Sequence, residues 1–420
     1  MTNPSPNATL WAEVDEHGRL VLPKALAERY GLAPGSRVRL ESEVNTLRLH
    51  RPAQHLTKVY VEVTSLCNID CRTCLRNNWD EAMGRMTDAT FGALLASLGA
   101  LEPRPTVFFG GIGEPLFHKR TLAWAAQAKA LGCRVELITN GTLLTEKRAQ
   151  ALIDLGLDVL WVSLDGATPE SYADVRLGAQ LPLVLENLRR FSRLRPASHR
   201  PRPEIGLAFV AMHRNIHELP AVLQIGKSLR ASRFSVSNVL PTTPELQAEM
   251  LCANTVKSLA YMDSPWQRKL SLPRMDFVNG TREAFTAALN AGYNVNFGGS
   301  SLAGATDVCS FIESGTISIG WDGGVSPCLP LLHTHTTYLH GKPRLNSKHT
   351  LGNINAADLW SLWQRPDYVA YRERVQGFGF APCTFCGGCD LSEANLDDCL
   401  GSGFPACGGC LWAQGVVQCP

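Results

Sequence analysis

Three cysteines, Cys67, Cys71 and Cys74, stand in a C-x3-C-x2-C spacing within VYVEVTSLCNIDCRTCLRNNW, from Val59 to Trp79. Thiolates this close together on one loop suit a metal centre, and their number narrows which kind. A structural zinc site usually closes a tetrahedron with two paired C-x2–4-C or C/H hooks. Three thiolates without a fourth nearby instead suit three corners of a 4Fe–4S cube, which usually takes four cysteines. The next cysteine in the chain is Cys133. One iron would then be left open to a small molecule. On spacing alone, zinc stays open as the alternative.

The elements that must position this loop are a series of strands and helices. Apolar, β-branched runs at Val59–Thr64, Thr106–Gly110, Val135–Thr139, Val159–Leu164, Glu204–Ala211 and Arg233–Leu240 read as strands. Between them Thr87–Leu101, His118–Leu131, Thr145–Leu155, Leu181–Leu194 and Ile216–Leu229 read as helices. Near-continuous apolar strands alternating with amphipathic helices predict a parallel sheet buried on both faces. Six such units suit a partial (β/α)6 barrel, whose chemistry sits at the C-terminal ends of the strands.

Each of the first four strands ends in a loop of unusual composition. The first carries the three cysteines. The second ends in FFGGIGEPLFH, where Gly111 and Gly113 permit close approach of backbone to a ligand and Glu114 offers an anionic acceptor for an ammonium group. Its glycines miss the G-x-G-x-x-G spacing of a dinucleotide fingerprint. The third ends at Asn140-Gly141 and the fourth in WVSLDGATPESYADVR, with Ser163, Asp165 and Arg176. Alone, these last two are ordinary turn chemistry. The later strand ends add Met212, His213, Asn215 and Asn238, expected to face the same opening.

The cysteine spacing, with Gly111–Pro115 at the next strand end, resembles the radical S-adenosylmethionine (SAM) enzymes. That resemblance implies that SAM chelates the open iron through its amino and carboxyl groups. It also implies that Gly111, Gly113 and Glu114 serve the amino group, while Asn140, Ser163 and Asp165 lie where ribose and carboxylate are contacted. Arg176 becomes a carboxylate clamp, with a surface salt bridge as the plain alternative.

Nine of the fourteen cysteines fall between Cys309 and Cys419. CSFIESGTISIGWDGGVSPC, from Cys309 to Cys328, reads as a hairpin tightened by Gly320, Gly323 and Gly324. After a gap of 54 residues come Cys383, Cys386, Cys389, Cys399, Cys407, Cys410 and Cys419. Two C-x2-C hooks, Cys383/Cys386 and Cys407/Cys410, could make a zinc ribbon. With the upstream hairpin, however, the field resembles the SPASM extension, which implies one or two auxiliary 4Fe–4S clusters. It departs from that extension's usual C-x2-C-x5-C-x3-C, since Ser392 stands where the third cysteine would fall. Individual cysteines are therefore not assigned to individual clusters. His333, His335 and His340 are an alternative ligand source. Cys133 and Cys252 stand alone and read as inert thiols.

Residues 10–52 show short alternating runs (Leu10–Val14, Arg19–Leu22, Ser36–Leu40, Thr46–His50) around one helix, Pro23–Tyr30. GRLVLPKALAERYGLAPGSRVRL resembles the AbrB-type swapped-hairpin domain, which implies dimerisation and, in many members, DNA binding. Seven Lys/Arg against six Asp/Glu in this stretch supply little of the basic surface that DNA requires. A dimerisation or substrate-docking module fits better.

The expected organisation is an AbrB-like module over 1–54, a radical-SAM partial barrel over 55–300 and a SPASM-type domain over 301–420. Residues 241–308, with Pro265, Pro273 and a Gly/Asn-rich run at Asn290–Ser301, read as barrel closure plus a substrate-facing insertion. Net charge is +2 at 45% hydrophobic residues, which gives no global electrostatic case for nucleic acid or anionic membrane. The start shows no signal-peptide pattern and no apolar run reaches the length of a membrane span, so the cytoplasm is expected. This combination is most similar to the tungsten cofactor oxidoreductase radical-SAM maturase family. The resemblance implies reductive cleavage of SAM to a 5′-deoxyadenosyl radical that abstracts hydrogen from substrate. It further implies a ferredoxin- or flavodoxin-type electron donor and a substrate that is a tungsten oxidoreductase, its cofactor or a precursor peptide. A DNA-binding redox regulator is the third reading, and it would need only the cluster.

Overall fold

The structure, a computed structural model, describes residues 12–42, 47–199, 201–251, 283, 296–297, 300–301, 309–339, 341–381, 383–386 and 390–420. Cys252, His340, Cys389, Pro265, Pro273 and most of the Gly/Asn-rich run lie outside them.

The N-terminal module holds two separate hairpins around a short helix. β1 (Glu13–Val14) pairs antiparallel with β2 (Leu20–Val21), and β3 (Leu40–Ser42) with β4 (Leu47–Leu49). The first turn is shaped by Asp15, whose Oδ1 accepts from the backbone N–H of His17 and Arg19, with Gly18 at φ 73°. Helix α1 (Lys24–Tyr30) follows Pro23 and stops at Gly31, which takes the left-handed conformation that ends a helix at low cost. None of its residues is buried, and Val14, Leu20, Val21, Leu40, Leu47 and Leu49 are exposed. The module is tied to the rest by a hydrogen bond between His50 Nδ1 and Glu313 at 2.7 Å and by the ion pair of Arg37 with Glu373 at 3.6 Å.

The body is one mixed sheet whose central strands are all parallel. β5 (Lys58–Val61), β6 (Thr106–Phe109), β7 (Val135–Thr139), β8 (Val159–Ser163), β9 (Glu204–Ala211) and β10 (Arg233–Asn238) lie side by side in chain order. Helices α2 (Asp88–Gly99), α3 (Thr121–Ala130), α4 (Glu146–Asp154), α5 (Pro169–Val175), α6 (Leu181–Leu194) and α7 (Leu219–Ser228) form the crossovers. Val59, Val107, Val135, Leu137, Leu160 and Val162 are fully enclosed, as strands covered on both faces must be. Each contributes about 1.5–3 kcal/mol by leaving water. The Thr side chains at Thr87 and Thr145 cap α2 and α4 by accepting from Thr90 N–H and Arg148 N–H, which sets where those helices begin. The sequence predicts these strands and crossovers to within a few residues; the short helix α5 goes unpredicted.

Beyond the barrel strands the sheet continues at both edges. β11 (Asn296–Phe297) joins β10 in parallel and β12 (Ser300–Ser301) joins β11. On the other side β13 (Thr316–Ile319) pairs in parallel with β5, and β14 (Gly324–Ser326) folds back on β13 as the expected hairpin, with Gly323 at φ 85°. The cysteine-rich part is therefore continuous with the barrel sheet. A second hairpin, β15 (His335–Leu339) with β16 (Lys342–Asn346), follows, and β17 (Gly352–Asn353) pairs with β14. Then come helices α8 (Leu359–Trp363), α9 (Pro366–Gln376) and α10 (Cys383–Cys386). Arg372 of α9 lies over Trp363 and Tyr368, at 3.7 and 4.1 Å to the ring centroids, and donates to Ala53 O. The final segment bridges the two flanks of the barrel. Asn238 of β10 donates to Val416 O, while Lys58 and Tyr60 of β5 donate to Pro420 O at 2.8 and 2.7 Å.

Candidate active site

The cysteine loop leaves β5 and is braced from three directions. Thr64 Oγ1 donates to Gly84 O, Asp70 and Arg72 N–H donate to Leu177 O and Val175 O, and Leu66 O accepts from Glu114 N–H. Cys74 N–H closes back on Cys71 O, so the last two cysteines share one turn. Cys67, Cys71 and Cys74 line a single cavity of about 150 Å³, together with Gly111, Gly113, Glu114, Asn140, Ser163 and Arg176. Of the ten site residues expected at these strand ends, nine meet there. Asp165 does not.

Gly113 explains how the second loop comes so near the first. A Cβ on it would sit 2.0 Å from Thr64 O and 2.7 Å from Leu66 O, both backbone atoms of the cysteine loop. Gly111 faces the side chain of Glu62 in the same way, at 2.7 Å. Gly113→Ala is therefore expected to push the two loops apart at a cost of about 1–3 kcal/mol. Iron incorporated on anaerobic reconstitution should fall by about four atoms per chain, with far-UV circular dichroism preserved. Wild-type iron in this variant would contradict the geometry.

Glu114 is buried and engages both carboxylate oxygens internally. Oε1 accepts from Leu116 N–H (3.0 Å) and Thr139 Oγ1 (2.8 Å), and Oε2 from Asn140 N–H (2.7 Å). It fastens the glycine loop to the end of β7, and burial pushes its carboxyl above the ordinary range despite those donors. Asn140 in turn aims Nδ2 at Cys67 Sγ (3.7 Å) and Asn68 Oδ1 (3.1 Å), while its Oδ1 holds Thr142. Ser163 closes β8 at the cavity wall.

Asp165 stands behind the wall, fully buried. Its Oδ1 accepts from Val210 N–H, and its Oδ2 from Arg176 Nε at 2.7 Å and Nη2 at 2.6 Å. This corrects the picture of two independent ligand contacts: Asp165 positions Arg176, and Arg176 presents Nη1 to Cys71 Sγ at 3.7 Å. Burial disfavours the guanidinium charge, but Asp165 and Cys71 outweigh it and hold Arg176 more firmly protonated than usual. Met212, His213, Asn215 and Asn238 do not line the cavity. Met212 is core, His213 is exposed, Asn215 ties Asp165 O to Val210 O, and Asn238 holds the C-terminal segment. Arg76, which the sequence reading passes over, lines the cavity and donates from Nε to Cys74 Sγ at 3.2 Å.

A second set of thiols gathers in the C-terminal part. Cys309 before β13, Cys328 after β14, and Cys407 and Cys410 of the last segment line one mainly apolar pocket, walled by Phe311, Ile312, Leu331 and Trp412. The Tyr371 hydroxyl reaches Cys407 Sγ at 3.1 Å. Burial, then the neighbouring sulfurs, push the Cys309 thiol up to about 12 and that of Cys328 well above its usual value. Four such thiols are stable as thiolates only with cations among them. The Cys407/Cys410 hook thus faces the upstream hairpin, while Cys383 lines a neighbouring pocket with Lys342 and Arg344. Cys399 is exposed, and Cys419 lies near Lys58 and bonds to Trp412 of the pocket wall. Cys133 is a lone buried thiol, as expected. His333 and His335 bond to Glu62, Glu81 and backbone. Among the described residues, no group of three or more His, Cys, Asp or Glu is arranged to hold a single metal ion. The thiols instead stand around spaces, which fits multi-iron clusters: three with an open side at the barrel, four enclosing the pocket.

Residues 61–199 match the model of the radical SAM superfamily, and residues 309–390 that of the SPASM iron–sulfur cluster-binding domain. The chain is 29% identical over 366 residues to the tungsten-containing aldehyde ferredoxin oxidoreductase cofactor-modifying protein of Pyrococcus furiosus, covering 86% of this chain and 96% of that one. It is 32% identical over 187 residues to the PqqA peptide cyclase of Bradyrhizobium diazoefficiens, 43% of this chain and 46% of the relative. Among solved structures, SuiB of Streptococcus suis bound to S-adenosylmethionine superimposes with a TM-score of 0.52 at 13% identity, covering 81% of this chain and 72% of SuiB. Histidine-tagged anSMEcpe with bound AdoMet gives 0.53 at 16%, covering 86% and 92%.

Proposed function

We propose that this chain, which belongs to the radical SAM superfamily and carries a SPASM iron–sulfur domain, is a maturase acting on a tungsten-containing aldehyde oxidoreductase or its cofactor. The observation that carries the chemistry is the cavity itself, where three thiols on one loop leave an open side walled by Gly111, Gly113 and Ser163. A 4Fe–4S cluster bound there with SAM supplies reductive cleavage to a 5′-deoxyadenosyl radical that abstracts hydrogen. The residues of the chain hold, orient and exclude water. Cys67, Cys71 and Cys74 ligate; the glycine loop admits SAM close to the backbone; Glu114 and Asp165 fix the loops from behind. Cys309, Cys328, Cys407 and Cys410 would give an auxiliary cluster four protein ligands, leaving it no open position for substrate.

The substrate assignment is supported by likeness to the Pyrococcus relative along nearly its whole length. The second reading, a modifier of ribosomally made peptides, is favoured by the shorter likeness to the peptide cyclase. Co-purification separates them, since an oxidoreductase subunit is expected and a short peptide would favour the second. A low-potential donor of the ferredoxin or flavodoxin type supplies the electron. In the N-terminal module, two two-stranded hairpins with exposed apolar residues suit pairing of two copies. Among the described residues no helix is long and apolar enough to cross a membrane.

The test is anaerobic reconstitution with iron and sulfide, followed by dithionite and SAM. Wild type is expected to form 5′-deoxyadenosine, and the Cys67→Ala/Cys71→Ala/Cys74→Ala variant to form none. Product undiminished in that variant, or absent from wild type, would sink the proposal.

A further inference from the structure

Each of the three loop sulfurs has its own side-chain N–H donor. Asn140 Nδ2 lies 3.7 Å from Cys67 Sγ, Arg176 Nη1 3.7 Å from Cys71 Sγ, and Arg76 Nε 3.2 Å from Cys74 Sγ. They come from three different places: the end of β7, the loop after α5, and the cysteine loop itself. Sulfur is a weak acceptor when neutral and a far better one as thiolate. A guanidinium placed at two of three sulfurs is thus an arrangement for negative charge.

The two arginines are not equivalent. Arg176 is paired with Asp165 through two contacts, so much of its charge is cancelled locally. Arg76 has no carboxylate within ion-pair distance among the described residues. Its Nη2 is fixed on Ile69 O at 2.8 Å, which leaves Nε aimed at Cys74 Sγ. Its donor is also the nearest of the three.

We infer that Arg76 sets the reduction potential of the cluster held by Cys67, Cys71 and Cys74, with Arg176 in a lesser role. The inference rests on the reading of those cysteines as cluster ligands. Reduction adds one electron from an external one-electron donor such as dithionite, with no bond made or broken. The added negative charge spreads over irons and sulfurs. A fixed cation and N–H at one sulfur therefore stabilise the reduced form more than the oxidised one and raise the potential. In this role Arg76 is a positioning and tuning residue that touches the ligand sulfur.

The experiment compares reconstituted wild type, Arg76→Gln, Arg76→Lys and Arg176→Gln. Each is counted for iron and titrated potentiometrically, following the paramagnetic signal that changes on adding SAM. Arg76→Gln is expected to lower the ratio of reduced to oxidised cluster at a fixed potential about tenfold, equivalent to about 59 mV for one electron. Arg76→Lys, which keeps a charge but not the fixed N–H, should lower it about threefold, and Arg176→Gln less than Arg76→Gln. A wild-type ratio in a loaded Arg76 variant, or a larger change in Arg176→Gln, overturns the inference. Failure of both Arg76 variants to load iron that wild type does load also overturns it, in favour of a structural role. Failure of wild type to load falls instead on the cluster reading.

Discussion

Replacing Cys328 by Ala is expected to take about four irons out of the reconstituted chain while leaving SAM cleavage at the barrel in place. Cys328 follows β14 directly, and that strand is held by β13, itself paired to β5 in the barrel sheet. Its sulfur therefore stands on a rigid frame facing Cys309, Cys407 and Cys410 across an apolar pocket. Without it, three thiolates remain in a pocket where burial already works against their ionisation. Metal binding and folding are coupled in such sites, so the melting temperature should fall together with the iron. The cavity at Cys67, Cys71 and Cys74 shares no lining residue with this pocket, so 5′-deoxyadenosine formation is expected to continue. Cys133→Ala is the control, since that buried thiol lines neither space, and its iron should equal that of wild type. Wild-type iron in Cys328→Ala, or loss of SAM cleavage along with the iron, would contradict the separation of the two sites.

How legible these sites were in the sequence depended on how local their determinants are. Most of the barrel strands announce themselves because a strand covered on both faces is largely apolar, although β10, RFSVSN, is not. Leu181–Leu194 reads as a helix because its apolar residues recur at helical spacing, and it folds over those limits. The cysteine and glycine loops are likewise local, since each carries its chemistry within a dozen residues. Asp165 was legible as polar but not in its direction. β8 ends at Ser163, so strand alternation no longer decides which way a side chain two residues later points. Arg76 resembles any surface arginine in sequence; the short turn at Leu75–Asn78 is what folds it back onto Cys74. The pairing of β13 with β5 spans more than 250 residues, and no periodicity in TISI reports its partner. For the same reason the C-x2-C spacing left the partners of Cys407/Cys410 open, and tertiary packing brings them to Cys309 and Cys328 as well as beside the Cys383–Cys386 helix.

His333→Gln is expected to cost about 3 kcal/mol and to flatten the alkaline side of the stability profile. The His333 ring lies between two carboxylates, with Nε2 2.9 Å from Glu62 Oε1 and Nδ1 2.8 Å from Glu81 Oε2, under the Trp79 ring. Both nitrogens can donate only when the imidazole is protonated. Burial opposes that charge, but the bonds and charges of Glu62 and Glu81 prevail and raise its pKa. A raised folded-state value means stability that is fully present below the unfolded value of about 6.5 and is lost as pH climbs through the folded one. The other groups facing this cluster push the opposite way at the acid end. Glu81 is buried enough to be disfavoured as an anion, yet Thr334 N–H, His333 and Lys348 hold it below the ordinary range, so its share is lost as pH falls. His335, bonded to His333 O, is kept low by burial. Wild type should therefore lose melting temperature from about pH 6.5 upward, and His333→Gln should lose much less over the same interval. The consequence reaches the active site through Glu62, whose other oxygen accepts from Ile112 N–H in the glycine loop. Raising the pH thus loosens the link between the cysteine-rich hairpin and the loop that borders the cavity. Parallel pH profiles for wild type and His333→Gln would show that the imidazole carries no such charge.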